Sequence, residues 1–207
     1  MVFPAEDSAR ETWIGDGRLA DVTEGRRIVV DLDRGMFLFV NRAESTYVET
    51  PLPLDLAAVF SEEENARLTM FKRRGTVEPG GESKTVGERS CTSYTVNDWL
   101  IYDDSKLNER DIVMWVTTDL PFEWAAVRRM MVELERIGNL GEEYIEARGA
   151  IEGFPISAEE TTYTEGIAIP TRHTVTELEE REPPAGIYDV PDGFTKKDLL
   201  TLQDLRS

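Results

Sequence analysis

The stretch IVMWVTTDLPFEWAAVRRMMVELERIGN, residues 112–139, places a strand and a helix in immediate succession. Ile112, Met114 and Val116 alternate with Val113, Trp115 and Thr117, so both faces bear apolar groups. Such a strand belongs in the middle of a sheet covered on at least one side. Asp119-Leu120-Pro121 then opens a helix, and Trp124, Val127, Met130, Met131, Leu134 and Ile137 form a wide apolar stripe. Arg128, Arg129, Glu133, Glu135 and Arg136 fall on the opposite side, and Gly138-Asn139 supplies the stop of a left-handed cap.

Upstream, the chain reads as antiparallel sheet. Ile28, Val30 and Leu32 share a face at period two, Asp33-Arg34-Gly35 gives turn chemistry, and Met36 to Val40 returns as a second strand. Thr46 to Thr50 is a third, β-branched and aromatic. Pro51 and Pro53 then suit the first turn of a helix carrying Leu52, Leu56, Val59 and Phe60. Glu62-Glu63-Glu64 closes that helix, where carboxylates oppose its dipole.

Leu68 to Val77 predicts a long strand, Pro79-Gly80-Gly81 a turn, Thr85 to Tyr102 a further strand pair and Asp103 to Glu109 a loop. After the helix, Ala147 to Ile156, Thr161 to Thr164 and Ile167 to Leu178 read as strands, with Pro170 marking an edge or bulge. Leu199 to Leu205 suggests a short terminal helical turn. Two helices interrupting about eight or nine strands do not alternate as a βαβ fold requires. The expected fold is α+β, a curved antiparallel sheet forming an incomplete barrel around two main helices, as one continuous domain over residues 1–207.

Composition narrows the functions. With 23 Lys and Arg against 41 Asp and Glu, the net charge is −18, which disfavours nucleic acid and anionic membrane surfaces as partners. No run reaches the ~18 consecutive apolar residues of a membrane helix. A single Cys excludes an internal disulfide and a Cys-based zinc site, and a single His removes most acid–base and metal chemistry. Residues 1–25 have no apolar core of a signal peptide. The plain reading is cytoplasmic, and the other is a mature exported domain.

The chain has no phosphate-binding glycine motif, no H-E-x-x-H and no G-x-S-x-G. His173 reads as a strand histidine without a nucleophile nearby, Cys91 as a buried thiol, and Asp31-Leu32-Asp33-Arg34-Gly35 as a hairpin turn rather than a calcium loop. Adjacent acids such as Glu142-Glu143 and Glu159-Glu160 arise freely among so many carboxylates. No catalytic residue, metal or cofactor is expected. The distinctive feature is the bulk of Met114, Phe122, Trp124, Met130 and Met131 at one strand–helix junction, adaptable enough to line an apolar cavity or simply to fill a core.

Several short segments resemble one bacterial group. They are Trp13-Ile14-Gly15, Asp31-Leu32, Thr46-Tyr47-Val48-Glu49 with Leu52-Pro53, Val86-Gly87-Glu88 with Cys91-Thr92-Ser93-Tyr94, Trp115 to Pro121, and Ile187-Tyr188-Asp189-Val190-Pro191-Asp192-Gly193-Phe194. The order is similar to that of an uncharacterised family of exported proteins related to the LolA/LolB lipoprotein-carrier superfamily. The resemblance implies a helix-covered half-barrel, a periplasmic or lipid-anchored location and a hydrophobic cavity for acyl chains. The first expectation is therefore a non-catalytic binder or carrier of a lipid or acyl chain, with Met114, Val116, Phe122, Trp124, Val127 and Met131 facing the ligand. The alternative is an envelope protein-interaction or sensor module whose acidic surface meets a basic partner. An enzyme using scattered carboxylates ranks last.

Overall fold

The computed structural model describes residues 10–206. In chain order the elements are β1 (Glu11–Gly15), β2 (Arg18–Val22), β3 (Arg26–Asp31), β4 (Met36–Asn41), β5 (Thr46–Pro51), α1 (Leu56–Val59) and α2 (Glu62–Met70). Next come β6 (Lys72–Val86), β7 (Arg89–Tyr102), β8 (Ser105–Thr117), α3 (Trp124–Ile137), α4 (Glu142–Arg148), β9 (Phe154–Thr164), β10 (Ile167–Thr174) and β11 (Thr195–Lys196). The fold is α+β and dominated by sheet. Its strands divide between two open sheets instead of forming the single one expected, and neither closes into a barrel.

The chain separates into two compact units. Among the described residues, those up to Leu68, Ala126–Gly138 and those from Arg181 onward form the first; Thr69–Ala125 and Asn139–Glu180 form the second. The first holds the sheet β1-β2-β3-β4-β5-β11, antiparallel throughout except that β11 runs parallel to β5. Cross-strand register puts Ala20, Val29 and Leu38 in one row, and Leu19, Val30 and Phe37 in the next, on the opposite face. All six are buried, so β2, β3 and β4 are covered on both sides and the run Phe37-Leu38-Phe39-Val40 is apolar without alternation. Both faces of this part of the sheet are therefore apolar and buried, and no polar outer face is left across β2, β3 and β4. Ala20, Val29, Leu38 and Val40 pack with Tyr188, flanked by Ile187, Val190 and Phe194 from the C-terminal segment. Arg27 secures that segment by donating to the carbonyls of Gly186 (3.1 Å) and Asp189 (2.5 Å), and the Arg18 guanidinium sits 4.4 Å above the Tyr188 ring.

The β3–β4 hairpin forms where Asp33-Arg34-Gly35 predicts it, with Gly35 at φ 60° and the Asp31 carboxylate accepting the Arg34 N–H. The Glu run behaves differently from expectation. Glu62, Glu63 and Glu64 start α2 and do not end the preceding helix. Ser61 Oγ accepts the Glu64 N–H and donates to the Glu64 carboxylate, so the acids lie at the favourable end of the dipole. Ser61-x-x-Glu64 was the available signal. In α3, Glu133 and Glu135 are buried, not solvated. Glu133 accepts the Leu54 N–H at 2.8 Å and pairs with Arg136 at 2.6 Å, while Glu135 pairs with Arg128 at 2.8 Å. Helix α3 ends at Ile137, and Asn139 takes φ 59°, as its stop signal predicts.

The second unit holds the antiparallel meander β10-β9-β8-β7-β6. Strand β8 is its central strand, and β10, which carries Pro170, is an edge. Pro79-Gly80-Gly81 does not turn the chain. Strand β6 runs through it with a bulge between Pro79 and Ser83. A Cβ on Gly80 would meet Ser93 Oγ at 2.3 Å, and that hydroxyl bridges the bulge by bonding both the N–H and the carbonyl of Glu82. Asp103 to Glu109 is likewise not a loop. Asp103 and Asp104 turn a tight hairpin at φ 46° and 60°, and β8 begins at Ser105. The segment from Ala147 is the end of α4 before it is strand, because Gly141 and Gly149 bracket a helix that strand periodicity alone obscured. Of the terminal leucines expected in a helical turn, only Leu205 lies in one, the short 3-10 turn Asp204–Arg206, and Leu200 instead bridges to Phe60.

Replacing Tyr188 with Ala should lower the unfolding free energy by about 3 kcal/mol, because it opens a cavity over Val29 and Leu38. Tyr188→Phe, which keeps the ring, should cost under about 1 kcal/mol, with urea midpoints as the measurement.

Candidate functional site

In the second unit, the side chains of β8 sort by parity. Met114 and Val116 point to one face, where they are 6% and 1% exposed and cluster with Val96, Ile112, Tyr144 and Ile151. Tyr144 arrives on α4 and Ile151 just beyond it. The space beside Met114 and Val116 is thus occupied by the protein's own side chains. Trp115 points the other way into a second cluster with Cys91 and Ile156, and the Lys84 ammonium lies 3.8 Å from its ring centroid. Burial raises the Cys91 thiol pKa, which agrees with a structural thiol.

An aromatic group stands at the end of these clusters. Phe154 packs against the Trp115 cluster, and Phe122 and Trp124 meet it edge-on at 5.7 and 6.2 Å. The Trp124 indole N–H donates to the Ile151 carbonyl at 3.2 Å, which ties this group to the Met114 side as well. Phe122, Trp124 and Phe154 all remain half-buried. The other two expected ligand-facing residues, Val127 and Met131, belong to the first unit, where Val127 is buried and Met131 half-buried. The six therefore fall as a buried pair, Met114 and Val116, a half-buried aromatic pair, and two residues of the first unit.

Next to the apolar cluster lies a group that periodicity left unnoticed. Register aligns Gly75, Asp98 and Arg110 in one row across β6, β7 and β8, beside the apolar row Val77, Val96 and Ile112. The Asp98 side chain has no exposed surface. Its Oδ1 accepts from Arg73 Nη1 at 2.5 Å and Arg110 Nε at 2.7 Å; its Oδ2 accepts from Arg110 Nη2 at 2.6 Å and Tyr144 Oη at 2.9 Å. Arg110 also reaches Glu160 on β9 at 3.4 Å. Gly75 makes room for this arrangement, since a Cβ there would lie 2.6 Å from the Tyr144 ring. The signal was available, because Asp98 and Arg110 occupy the core-facing parity of Val96 and Ile112.

Burial alone would raise the Asp98 pKa, but the Arg110 hydrogen bonds and charge, with Arg73 and Tyr144, hold it below the ordinary carboxylate range. Burial is also the main cause that pushes Tyr144 from 10.0 up to about 12, with Asp98 adding to it against the opposing charge of Arg148. Both Asp98 oxygens are fully engaged, so this carboxylate is a structural counter-ion and not a poised base. His173 is exposed on edge strand β10. Among the described residues, no group of three or more His, Cys, Asp and Glu is arranged to hold a metal ion. Among the described residues, likewise, no helix is long and apolar enough to cross a membrane.

No protein-family model, curated protein or solved structure matches the chain.

Asp98→Asn leaves two guanidinium groups against a neutral amide and should cost about 3–5 kcal/mol by chemical denaturation. Because Asp98 is depressed in the folded protein, its contribution is complete above the unfolded carboxylate pKa and disappears as pH falls below roughly 4. Tyr144 acts at the opposite limit. Its folded pKa of about 12 lies above the unfolded value of 10.0, so stability should fall as pH rises between them. The loss should be about 2 kcal/mol and should vanish in Tyr144→Phe, read from urea midpoints across that alkaline range.

Proposed function

We propose that the protein binds or carries an apolar ligand, such as a lipid or acyl chain, without catalysing a reaction. Its location on this reading is the periplasm or cell envelope, as for the lipoprotein-carrier-like group that its short motifs resemble. The observation that carries the reading is the aromatic group of Phe122, Trp124 and Phe154, which is half-buried at the end of two apolar clusters. Large flat side chains that keep exposed surface beside a closed core offer an apolar ligand area to cover, at roughly 25 cal/mol per Å² before ordering costs. The interior beneath α4 is already filled by Tyr144 and Ile151. The ligand's place is accordingly at the aromatic group and not deep beside Met114 and Val116.

The half-barrel expectation attaches to the meander β6 to β10. Its support is the set of register shifts at Pro79/Ser83, Asp98/Leu100 and Trp115/Val116, since bulges bend and twist the strands that carry them. The interaction-module alternative draws on a different observation: Glu177, Glu179, Glu180 and Glu182 are all exposed. A basic partner would meet that run with an affinity that falls as salt rises.

Titration with a fluorescent fatty-acyl probe, together with native mass spectrometry of protein drawn from lipid-rich lysate, tests the carrier reading. The wild type should take up the probe, and Phe122→Ala should weaken binding by roughly tenfold. Tyr144→Phe should leave it unchanged. A wild type that takes up no probe and carries no lipid removes the proposal.

A further inference from the structure

At the end of the second unit's sheet where β6 begins and the β7–β8 hairpin turns, large apolar side chains face solvent. Met70, Phe71, Tyr102 and Leu107 are exposed by 49%, 39%, 41% and 41%. Phe71 and Tyr102 stack with ring centroids 4.9 Å apart and planes 14° from parallel. The Lys106 ammonium lies 3.6 Å from the Trp99 ring centroid. The same end holds a shallow hollow of about 250 Å³ whose walls include Met70, Lys72, Arg74, Ile101, Asp103 and Asp104.

The charges of this hollow are not spent on one another. Among the described residues, Lys72, Asp103 and Asp104 make no ion pair. Arg74 reaches Glu143 only at 3.7 Å, with both side chains more than half exposed, a contact worth little in water. Two cations and two carboxylates therefore line a hollow that has Met70 and Ile101 in its walls, while Tyr102 and Leu107 lie on the other face of the same sheet end. That combination is complementary to a zwitterion attached to hydrocarbon.

We propose that this end of the sheet docks on a lipid surface through phosphoethanolamine headgroups. Lys72 and Arg74 take the phosphate, Asp103 and Asp104 take the primary ammonium, and Met70, Phe71, Tyr102 and Leu107 enter the interfacial layer beside the acyl chains. Aromatic rings and lysines are the side chains that settle at that depth, with an apolar body and a polar end. The net charge of −18 selects the same surface, because anionic lipids repel the chain while a zwitterionic headgroup has no net charge. Choline carries the same charges as ethanolamine but replaces three N–H donors with methyl groups, so the carboxylates discriminate between them. The proposal does not depend on the Phe122–Trp124–Phe154 group binding an acyl chain.

Co-sedimentation of the full chain with vesicles decides it. Three compositions are compared: phosphatidylcholine alone, and phosphatidylcholine with an equal fraction of either phosphatidylethanolamine or phosphatidylglycerol. Binding to the ethanolamine vesicles should exceed binding to choline vesicles roughly fivefold. Asp103→Asn with Asp104→Asn should erase that preference, and Asn tolerates the left-handed backbone of this turn as Asp does. Phe71→Ala with Tyr102→Ala should weaken binding to every composition by about tenfold. Unchanged urea midpoints establish that the variants fold. Stronger binding to phosphatidylglycerol, equal binding to ethanolamine and choline, or no vesicle binding would overturn the proposal. So would an ethanolamine preference that survives in the double Asn variant, or soluble phosphoethanolamine binding as tightly as the vesicles.

Discussion

A carboxylate without exposed surface organises the second unit. Removing Asp98 from water costs several kcal/mol, and only a full set of donors offsets that cost. Arg110 supplies a bidentate fork, Arg73 a second guanidinium and Tyr144 a phenol, drawn from β8, β6 and α4. These donors converge only in one register. Asp98 lies opposite Arg110 on β8 and opposite Gly75 on β6, and a slip of one residue would send the partners to opposite faces of the sheet. The charge cluster thereby specifies strand pairing, and the neighbouring row Val77, Val96 and Ile112 contributes the apolar burial. Through Tyr144 it also fixes α4 over Met114 and Val116, which is why that space is closed.

The first unit solves a similar problem at its C-terminal end. Asp204, 1% exposed, accepts from Asn41 at 2.7 Å, from Lys197 at 3.0 Å and from the Thr201 N–H at 2.7 Å. Burial would raise its pKa, and the Asn41, Thr201 and Lys197 contacts outweigh it and hold the group low. The terminal segment is thus pinned beside β4 by polar contacts, while Tyr188 and its neighbours cover the sheet by apolar ones. In both units an acidic protein places a few carboxylates inside and provides each with donors, leaving most of its negative charge on the surface.

Where the sequence was legible, the decisive chemistry was local. The Ile28–Val40 hairpin, the alternation of Met114 with Trp115, the Trp124–Ile137 helix with its Asn139 stop and the edge position of Pro170 each depend on a few consecutive residues. Reading failed where a distant partner changed the meaning of a local signal. Pro79-Gly80-Gly81 looks like a turn until Ser93 holds it as a bulge. Glu133 looks solvated until the Leu54 N–H and Arg136 occupy its oxygens. Glu62-Glu63-Glu64 looks like a helix end until Ser61 caps a new helix. The proposed ligand-facing set divided for the same reason. Parity correctly buries Met114 and Val116, but it cannot tell a lined cavity from a packed core.

The amino-acid sequence by itself determined the α+β character, the antiparallel hairpins, the long amphipathic helix and the burial of Ile112, Met114 and Val116 on β8. Propensity, turn chemistry and periodicity act over a few residues and leave their pattern in the chain. Tertiary structure alone decided that the strands form two sheets, that Asp98 gathers Arg73, Arg110 and Tyr144, and that Tyr144 and Ile151 occupy the apolar face. Those outcomes rest on contacts between residues tens of positions apart, whose energies depend on how completely each buried group finds a partner.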